Sequence, residues 1–165
     1  MSNLPTVKTD GNQRGSEIIQ LVTFELAEEE YGVNVLAVRE IIRVPAITKM
    51  PNAAVFLDGI INLRGTVVPI VSLRRRFNLP EREQDRRSRI LVMEMASGLT
   101  GFVVDAVAEV IRISESEIQQ PPSLSQHGAA QDCITGVVNH SERLLIVLDL
   151  DRSFSDDEKR AFEAI

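Results

Sequence analysis

The sequence predicts an all-β chain with short helices, built as two small five-stranded β-barrel subdomains by internal duplication. Three observations carry this. Two long segments repeat without a gap, short Val/Ile/Leu runs alternate with Gly, Asn and Pro punctuation, and the composition is that of an ordinary globular protein. The chain has 165 residues, 44% apolar and 25% charged, near the averages for soluble domains and enough for one domain or two small ones.

The repeat is found by setting Leu21–Val44 above Ile90–Ile113. At an offset of 69, nine of 24 positions are identical, among them Gly32/Gly101, Val35/Val104, Val38/Val107 and Glu40/Glu109. Asp58–Leu73 then matches Thr135–Leu150 at an offset of 77, with Gly59 on Gly136 and Asn62 on Asn139. The eight extra residues fall in Pro121–Gln131, a Pro-, Ser-, Gln- and Gly-rich stretch that reads as an extended loop.

The elements follow in order. Residues 1–16 are polar and are expected to be a flexible tail. Residues 17–79 form the first unit. Leu21–Leu26 and Tyr31–Val35 pair across the acidic turn Ala27–Glu30, Arg39–Val44 is a third run, and Val55–Asn62 with Thr66–Leu73 make a hairpin around Leu63-Arg64-Gly65. Leu73–Leu79 supplies one or two helical turns ending at Pro80. Residues 80–89 are an Arg-rich joint. From Leu73 to Arg89 there are seven arginines against three acids, which reads as a solvated, salt-laced linker. Residues 90–152 form the second unit, with strands expected at Ile90–Met95, Thr100–Val104, Ala108–Ile113, Ile134–Asn139 and Arg143–Leu148. Five strands in about 60 residues suggest a barrel, since closure removes exposed edges. Residues 153–165 are a short C-terminal helix. Ser155 and Glu158 have capping-box spacing, and Phe154, Phe162 and Ile165 give it an apolar side.

Composition also excludes chemistry. There is one cysteine, Cys133, and two histidines, His127 and His140. They allow no internal disulfide and lack the paired spacing of zinc sites; no metal or cofactor is expected. There is no phosphate loop, nucleophile elbow or HExxH motif. A catalytic Cys133 would need a histidine in contact and a polarised site, whereas its apolar strand context suits a small buried residue. A net charge of −6 and 4% aromatics argue against nucleic acid as a partner. The arginines of the joint are the feature on which that alternative would rest. No apolar run is long enough to span a membrane, and the N-terminus does not read as a signal peptide. The chain is expected to be cytoplasmic, with no direct membrane insertion.

Differences between the halves point to function. Asn62 and Gly65 suit a tight turn, and Gly32, Gly59 and Gly101 mark bends or close backbone approaches. Arg64 is not needed to make its turn. It fits an exposed surface residue, or an anchor for a partner's carboxylate or carbonyl. Glu40, shared with Glu109, suits a structural task. Arg39 is Ala108 in the second half and is freer, while Val38 fits either core or an exposed groove.

Taken together, the acidic-Tyr31-Gly32-Val33-x-Val35-x-x-Val38-x-Glu40-Ile41 segment, Met50-Pro51-Asn52, Gly59-Ile60-Ile61-Asn62-Leu63-Arg64-Gly65 with Val68-Pro69-Ile70-Val71, and Gly101-Phe102-Val103-Val104-Asp105-x-Val107 resemble the CheW family of chemotaxis coupling proteins. The resemblance runs from about Glu17 to Phe154. It implies two intertwined SH3-like barrels around a shared apolar interior. It implies a non-enzymatic scaffold coupling the cytoplasmic tips of chemoreceptors to a CheA-type histidine kinase, through the kinase's regulatory domain. Recruitment to the inner face of the membrane through receptor arrays follows, and the resemblance leaves room for self-association there. Carried over by position, Val38, Glu40 and Arg64 are receptor-side residues, and Arg89 and Ile90 line the same groove. Gly32, Gly59, Asn62, Gly65 and Gly101 support the turns. Kinase contacts are apolar barrel ends, not assignable to residues. Ser72 stands where the family often has Asp, and the Arg-rich joint also departs from the pattern.

Overall fold

Each apolar run becomes a strand. In the computed structural model, which describes residues 17–120 and 132–163, β1 (Ile18–Leu26) and β2 (Glu29–Asn34) form a hairpin, and a 3₁₀ turn (Val35–Ala37) leads into β3 (Val38–Arg43). A second hairpin, β4 (Leu57–Leu63) and β5 (Thr66–Ser72), runs into the one-turn helix α1 (Leu73–Arg76). Then come β6 (Arg89–Met95), β7 (Gly98–Val104), β8 (Ala106–Ser114), β9 (Ile134–His140), β10 (Arg143–Leu148) and helix α2 (Asp156–Glu163). Ser155 and Glu158 make the expected reciprocal cap: Glu158 N–H donates to Ser155 Oγ at 3.2 Å and Ser155 N–H to Glu158 Oε1 at 2.8 Å. The expected tail 1–16, the loop Pro121–Gln131 with His127, and Ile165 lie outside the described residues.

The strands assemble into two five-stranded sheets, ordered β9-β10-β2-β1-β8 and β4-β5-β7-β6-β3. On the repeat these orders are equivalent, strand for strand. The division into barrels of residues 17–79 and 90–152 is corrected, because each sheet draws on both units. β1 and β2 leave the first unit and join β8, β9 and β10, while β6 and β7 leave the second and join β3, β4 and β5. The joining pairs are parallel, β10 with β2 and β5 with β7. Either hairpin offers the apolar strand that β5 or β10 needs as a neighbour. Exchanging them interleaves the halves around one shared core, which buries more surface than two barrels of this size could bury alone.

That shared core contains Val22, Phe24, Leu26 and Val33 from the first sheet and Val71, Leu91, Met93, Phe102 and Val104 from the second. Each barrel also has a small interior of its own: Leu21, Ile111, Val138, Leu145 and Val147 in one, and Ile61, Val68, Ile70, Ile90 and Val92 in the other. Residues therefore alternate between barrel interior and shared core. This is why β1 and β6 read as continuous apolar runs rather than alternating ones.

Each sheet closes on itself through one bridge. Thr48 and Ile60 exchange backbone hydrogen bonds of 2.9 and 2.8 Å, and Gln119 and Val137 do the same at 2.8 Å each. A glycine precedes the second partner both times. Gly59 has φ 150°, and a Cβ there would sit 2.2 Å from Thr48 O; at Gly136 it would sit 2.8 Å from Gln119 O. Gly32 and Gly101, expected to support turns, instead lie inside strands β2 and β7. At Gly101 a Cβ would meet Ile70 and Ile90 side chains at 2.6 and 2.7 Å, so packing space and not a bend requires it.

Candidate functional site

Two residues that the sequence singles out meet in space. β3 carries a bulge at Arg39, where the register with β6 shifts between Val38 and Glu40. The bulge re-aims Glu40 toward the β4–β5 turn. There Arg64 forms a two-pronged ion pair with it, one prong at 3.3 Å. This hydrogen bond holds the Glu40 carboxyl below the usual carboxylate range. Arg64 sits in the left-handed region, φ 50°, followed by Gly65 at φ 92°, which is the two-residue hairpin geometry that favours Asn and Gly. Asn62 Oδ1 accepts the Gly65 N–H at 2.8 Å and secures the turn. Arg64 is thus held in a backbone shape that its side chain does not favour, with that side chain 69% exposed.

The duplication reproduces part of this arrangement. The first-sheet barrel has its bulge at Ala108. The Glu109 carboxylate faces His140 of the β9–β10 hairpin at 3.7 Å, where the other barrel has Glu40 and Arg64.

Val38 follows directly on the 3₁₀ turn, half-buried against the shared core and opposite Met93. The turn itself carries a residue that sequence reasoning missed. Asn34 Oδ1 caps it by accepting the Leu36 N–H at 2.9 Å, and Leu36 projects with 87% of its surface exposed. Beside it an open groove of about 710 Å³ runs between the barrels, lined by Leu36, Ala37, Met93, Met95, Leu148 and Asp151, among others. Glu94 on its wall pairs with Arg39. The signal in the sequence was the repeat itself, since Leu36 aligns with Asp105, a swap of apolar for acid.

Arg89 and Ile90 do not join this group. The β3–β6 ladder is antiparallel, so Arg89 faces Arg43 at the end away from Val38, and its guanidinium donates to the Arg86 and Ser88 carbonyls. Ile90 is 0% exposed in the second-sheet barrel interior. Its assignment to a binding groove is corrected, because alternation along β6 turns it inward.

The arginine run is not only a solvated linker. Its first three members are clasps. Ser72 Oγ caps α1 by accepting the Arg75 N–H at 3.2 Å. Arg74 holds Asp105 at 2.7 and 3.1 Å. Arg75 pairs with Asp58 and donates to the Val55 carbonyl at 2.7 Å. Arg76 pairs with Glu158 at 2.7 Å and lies over the Phe56 and Phe154 rings, 4.6 and 4.8 Å from their centroids.

Cys133 is fully buried, and burial pushes its thiol up to about 12, which makes it a poor nucleophile at neutral pH. It precedes β9 while His140 ends it, about 20 Å apart at strand rise. Among the described residues, no three His, Cys, Asp or Glu side chains are grouped to hold a metal ion, and no helix is long and apolar enough to cross a membrane.

Two barrels on one core, a charged pair on a rigid turn and an open groove of mixed apolar and acidic lining define a binding scaffold. Comparison with known proteins agrees. Residues 20–158 match the CheW-like domain model. The chain is 36% identical to the chemotaxis protein CheW of Treponema pallidum over 146 residues, covering 86% of this chain and 85% of that one. It is 33% identical to the CheW of Klebsiella aerogenes over 159 residues, covering 96% and 93%. The crystal structure of the scaffolding protein TtCheW from Thermoanaerobacter tengcongensis superposes with a TM-score of 0.77 at 34% identity, covering 85% of this chain and 94% of that one. The chain belongs to the CheW-like domain family: it is a chemotaxis scaffold and not an enzyme.

Proposed function

We propose that this protein couples the cytoplasmic tips of chemoreceptors to the regulatory domain of a CheA-type histidine kinase, in the cytoplasm at the inner face of the membrane. The observation that carries this reading is Leu36. A large apolar side chain 87% exposed, at the lip of a groove lined by apolar residues and by Glu94, Glu115, Asp149 and Asp151 and two residues from Val38, suits a helical hairpin docking by its apolar face. Val38, Glu40 and Arg64 do not line that groove; they follow it along β3 and the turn that Glu40 pairs with, where the Arg64–Glu40 pair would serve as the polar orienter. Arg89 takes no part, and Ile90 acts only by filling the barrel beneath.

The kinase side is assigned to the barrel ends. Ile41 and Val110 are equivalent on the repeat, as are Val67 and Leu144, and all four are exposed. Each barrel thus offers a similar apolar surface, one for each neighbour in a ring of adaptor and kinase domains. The mechanism is binding alone. The adaptor shifts the kinase equilibrium by holding its active and inactive assemblies with different affinity, and an array makes weak contacts sufficient through effective concentration. The arginine run gives little to nucleic acid, because Arg74, Arg75 and Arg76, and in the joint Arg82 and Arg87, pair with carboxylates within the chain.

Calorimetric titration with a receptor cytoplasmic hairpin fragment tests the reading. Wild type should bind, and Leu36→Asp should weaken binding by about tenfold or more while leaving kinase-domain binding unchanged. Equal receptor affinity for Leu36→Asp and wild type would move the site elsewhere.

A further inference from the structure

The duplication gives the molecule two inter-barrel faces built from equivalent positions. Among the described residues, the chain passes between the sheets twice, at Val35–Ala37 from β2 to β3 and at Asp105 from β7 to β8. Leu36 and Asp105 are the same position on the repeat. One overlooks the open groove. The other is 12% exposed in a smaller charged cleft of about 360 Å³.

Asp105 ties together three parts of the fold. Its carboxylate takes two hydrogen bonds from Arg74, which follows β5 in the second-sheet barrel. The same carboxylate accepts the Ala27 N–H at 2.8 Å, in the β1–β2 turn of the first-sheet barrel. Its own N–H donates to the Glu25 carbonyl at 3.0 Å. Arg74 in turn donates to the Pro80 carbonyl at 2.6 Å, which fastens the joint over this face. The position equivalent to Arg74 is Asp151, a carboxylate that accepts the Ala96 N–H at 3.2 Å. Among the described residues, the guanidinium at the open face, Arg39, pairs with Glu94 and not with the crossing Val35–Ala37.

We propose that the Arg74–Asp105 clasp is the fixed joint that sets the angle between the two barrels, and thereby the shape of the groove on the opposite face. Two bodies packed on one core tilt by opening one face as they close the other. A fork-to-fork arginine–carboxylate pair fixes distance and direction together. Clasped at Asp105, the molecule presents a preformed groove at Leu36. Arg74 and Asp105 are positioning residues that touch no partner, and their effect on binding rests on the receptor reading of that groove.

The test measures barrel orientation directly and binding separately. Thr66 and Arg143 are exposed, equivalent on the repeat and on different barrels. Nitroxide labels on Thr66→Cys and Arg143→Cys report the distance between barrels by pulsed electron resonance, with Cys133 buried away from the reagent. Asp105→Asn and Arg74→Met should each shift or broaden that distance. Arg74→Lys, which keeps the charge but not the fork, should do so less, and it remains informative if the other variants fold poorly. Arg75→Met, which removes contacts to Asp58, Val55 and Glu81 and none to the first-sheet barrel, should lower stability without moving the labels. Receptor-fragment affinity should fall about 3- to 30-fold for the first two variants and stay unchanged for Arg75→Met. Distances in Asp105→Asn and Arg74→Met that coincide with the parent would overturn the proposal, as would an equal shift in Arg75→Met. If the distances move as expected while the parent binds no receptor fragment, the clasp stands and the functional reading falls.

Discussion

Arg64 sits where folding alone would favour a different residue. Its φ of 50° is the left-handed conformation that Asn tolerates and a long side chain does not favour. Arg64→Asn should therefore keep or raise stability, by up to about 1 kcal/mol, while losing receptor binding. Arg64→Asp should fold normally and also fail to bind, since it sets two carboxylates against each other at Glu40. Urea midpoints beside receptor titrations check both; stability and binding falling together would make Arg64 a structural residue. Gly59 is the opposite case. A Cβ 2.2 Å from the Thr48 carbonyl oxygen would push apart the bridge that closes the second-sheet barrel. Gly59→Ala should cost about 3 kcal/mol, read as a lowered urea midpoint, and an unchanged midpoint would mean that the seam yields freely. Both roles were partly legible in the sequence, because Gly59 recurs as Gly136 while Arg64 does not recur. Ile90 was misplaced because residue type alone does not say which way a strand residue points when both faces of the strand are buried.

At the scale of elements, every strand among the described residues was legible and the clasps were not. Apolar runs and their Gly, Asn and Pro punctuation are local signals, so strand positions follow from neighbours in the chain. The partners of Arg74, Arg75 and Arg76 lie 31, 17 and 82 residues away, and no local pattern connects them. These pairs make stability depend on pH. Burial alone would raise the Asp105 and Glu158 carboxyls, but hydrogen bonds from Arg74 and Ala27, and from Arg76 and Ser155, outweigh it and hold both below the ordinary range. A carboxyl depressed in the folded state stabilises above its unfolded pKa, about 4, and that contribution is lost as pH falls through the folded value. Asp58 runs the other way. Burial raises it despite Arg75, so its contribution is present in acid and lost as pH rises through its folded value. Asp105 and Glu158, with the exposed Glu40 and Asp85, are depressed, against Asp58 raised, so the melting temperature should drop below about pH 4. Asp105→Asn should flatten that drop in calorimetric scans from pH 6 to pH 3; an equally steep drop would take the clasp out of the acid response.

The whole molecule is one interleaved unit made from two copies of one pattern. Which hairpin joins which sheet was not legible, because both units carry the same strands and local rules are satisfied whether hairpins pair within a unit or across units. The exchange has a consequence for folding. Residues 17–79 alone carry β1 and β2 without the strands they join, and β5 without its parallel neighbour β7. That segment, made separately, should show no cooperative unfolding transition, and the full described chain should show one; a folded, cooperatively melting 17–79 fragment would contradict the interleaved sheets. The same interleaving lets one small chain hold a groove between its barrels and exposed apolar residues at equivalent positions on each. The most direct measurement is sedimentation of the protein with a receptor cytoplasmic fragment and a kinase regulatory domain together. The expected result is a ternary complex, from which Leu36→Asp or Arg64→Asp removes only the receptor fragment. Mutually exclusive binding of the two partners, or binding of neither, would contradict the coupling role.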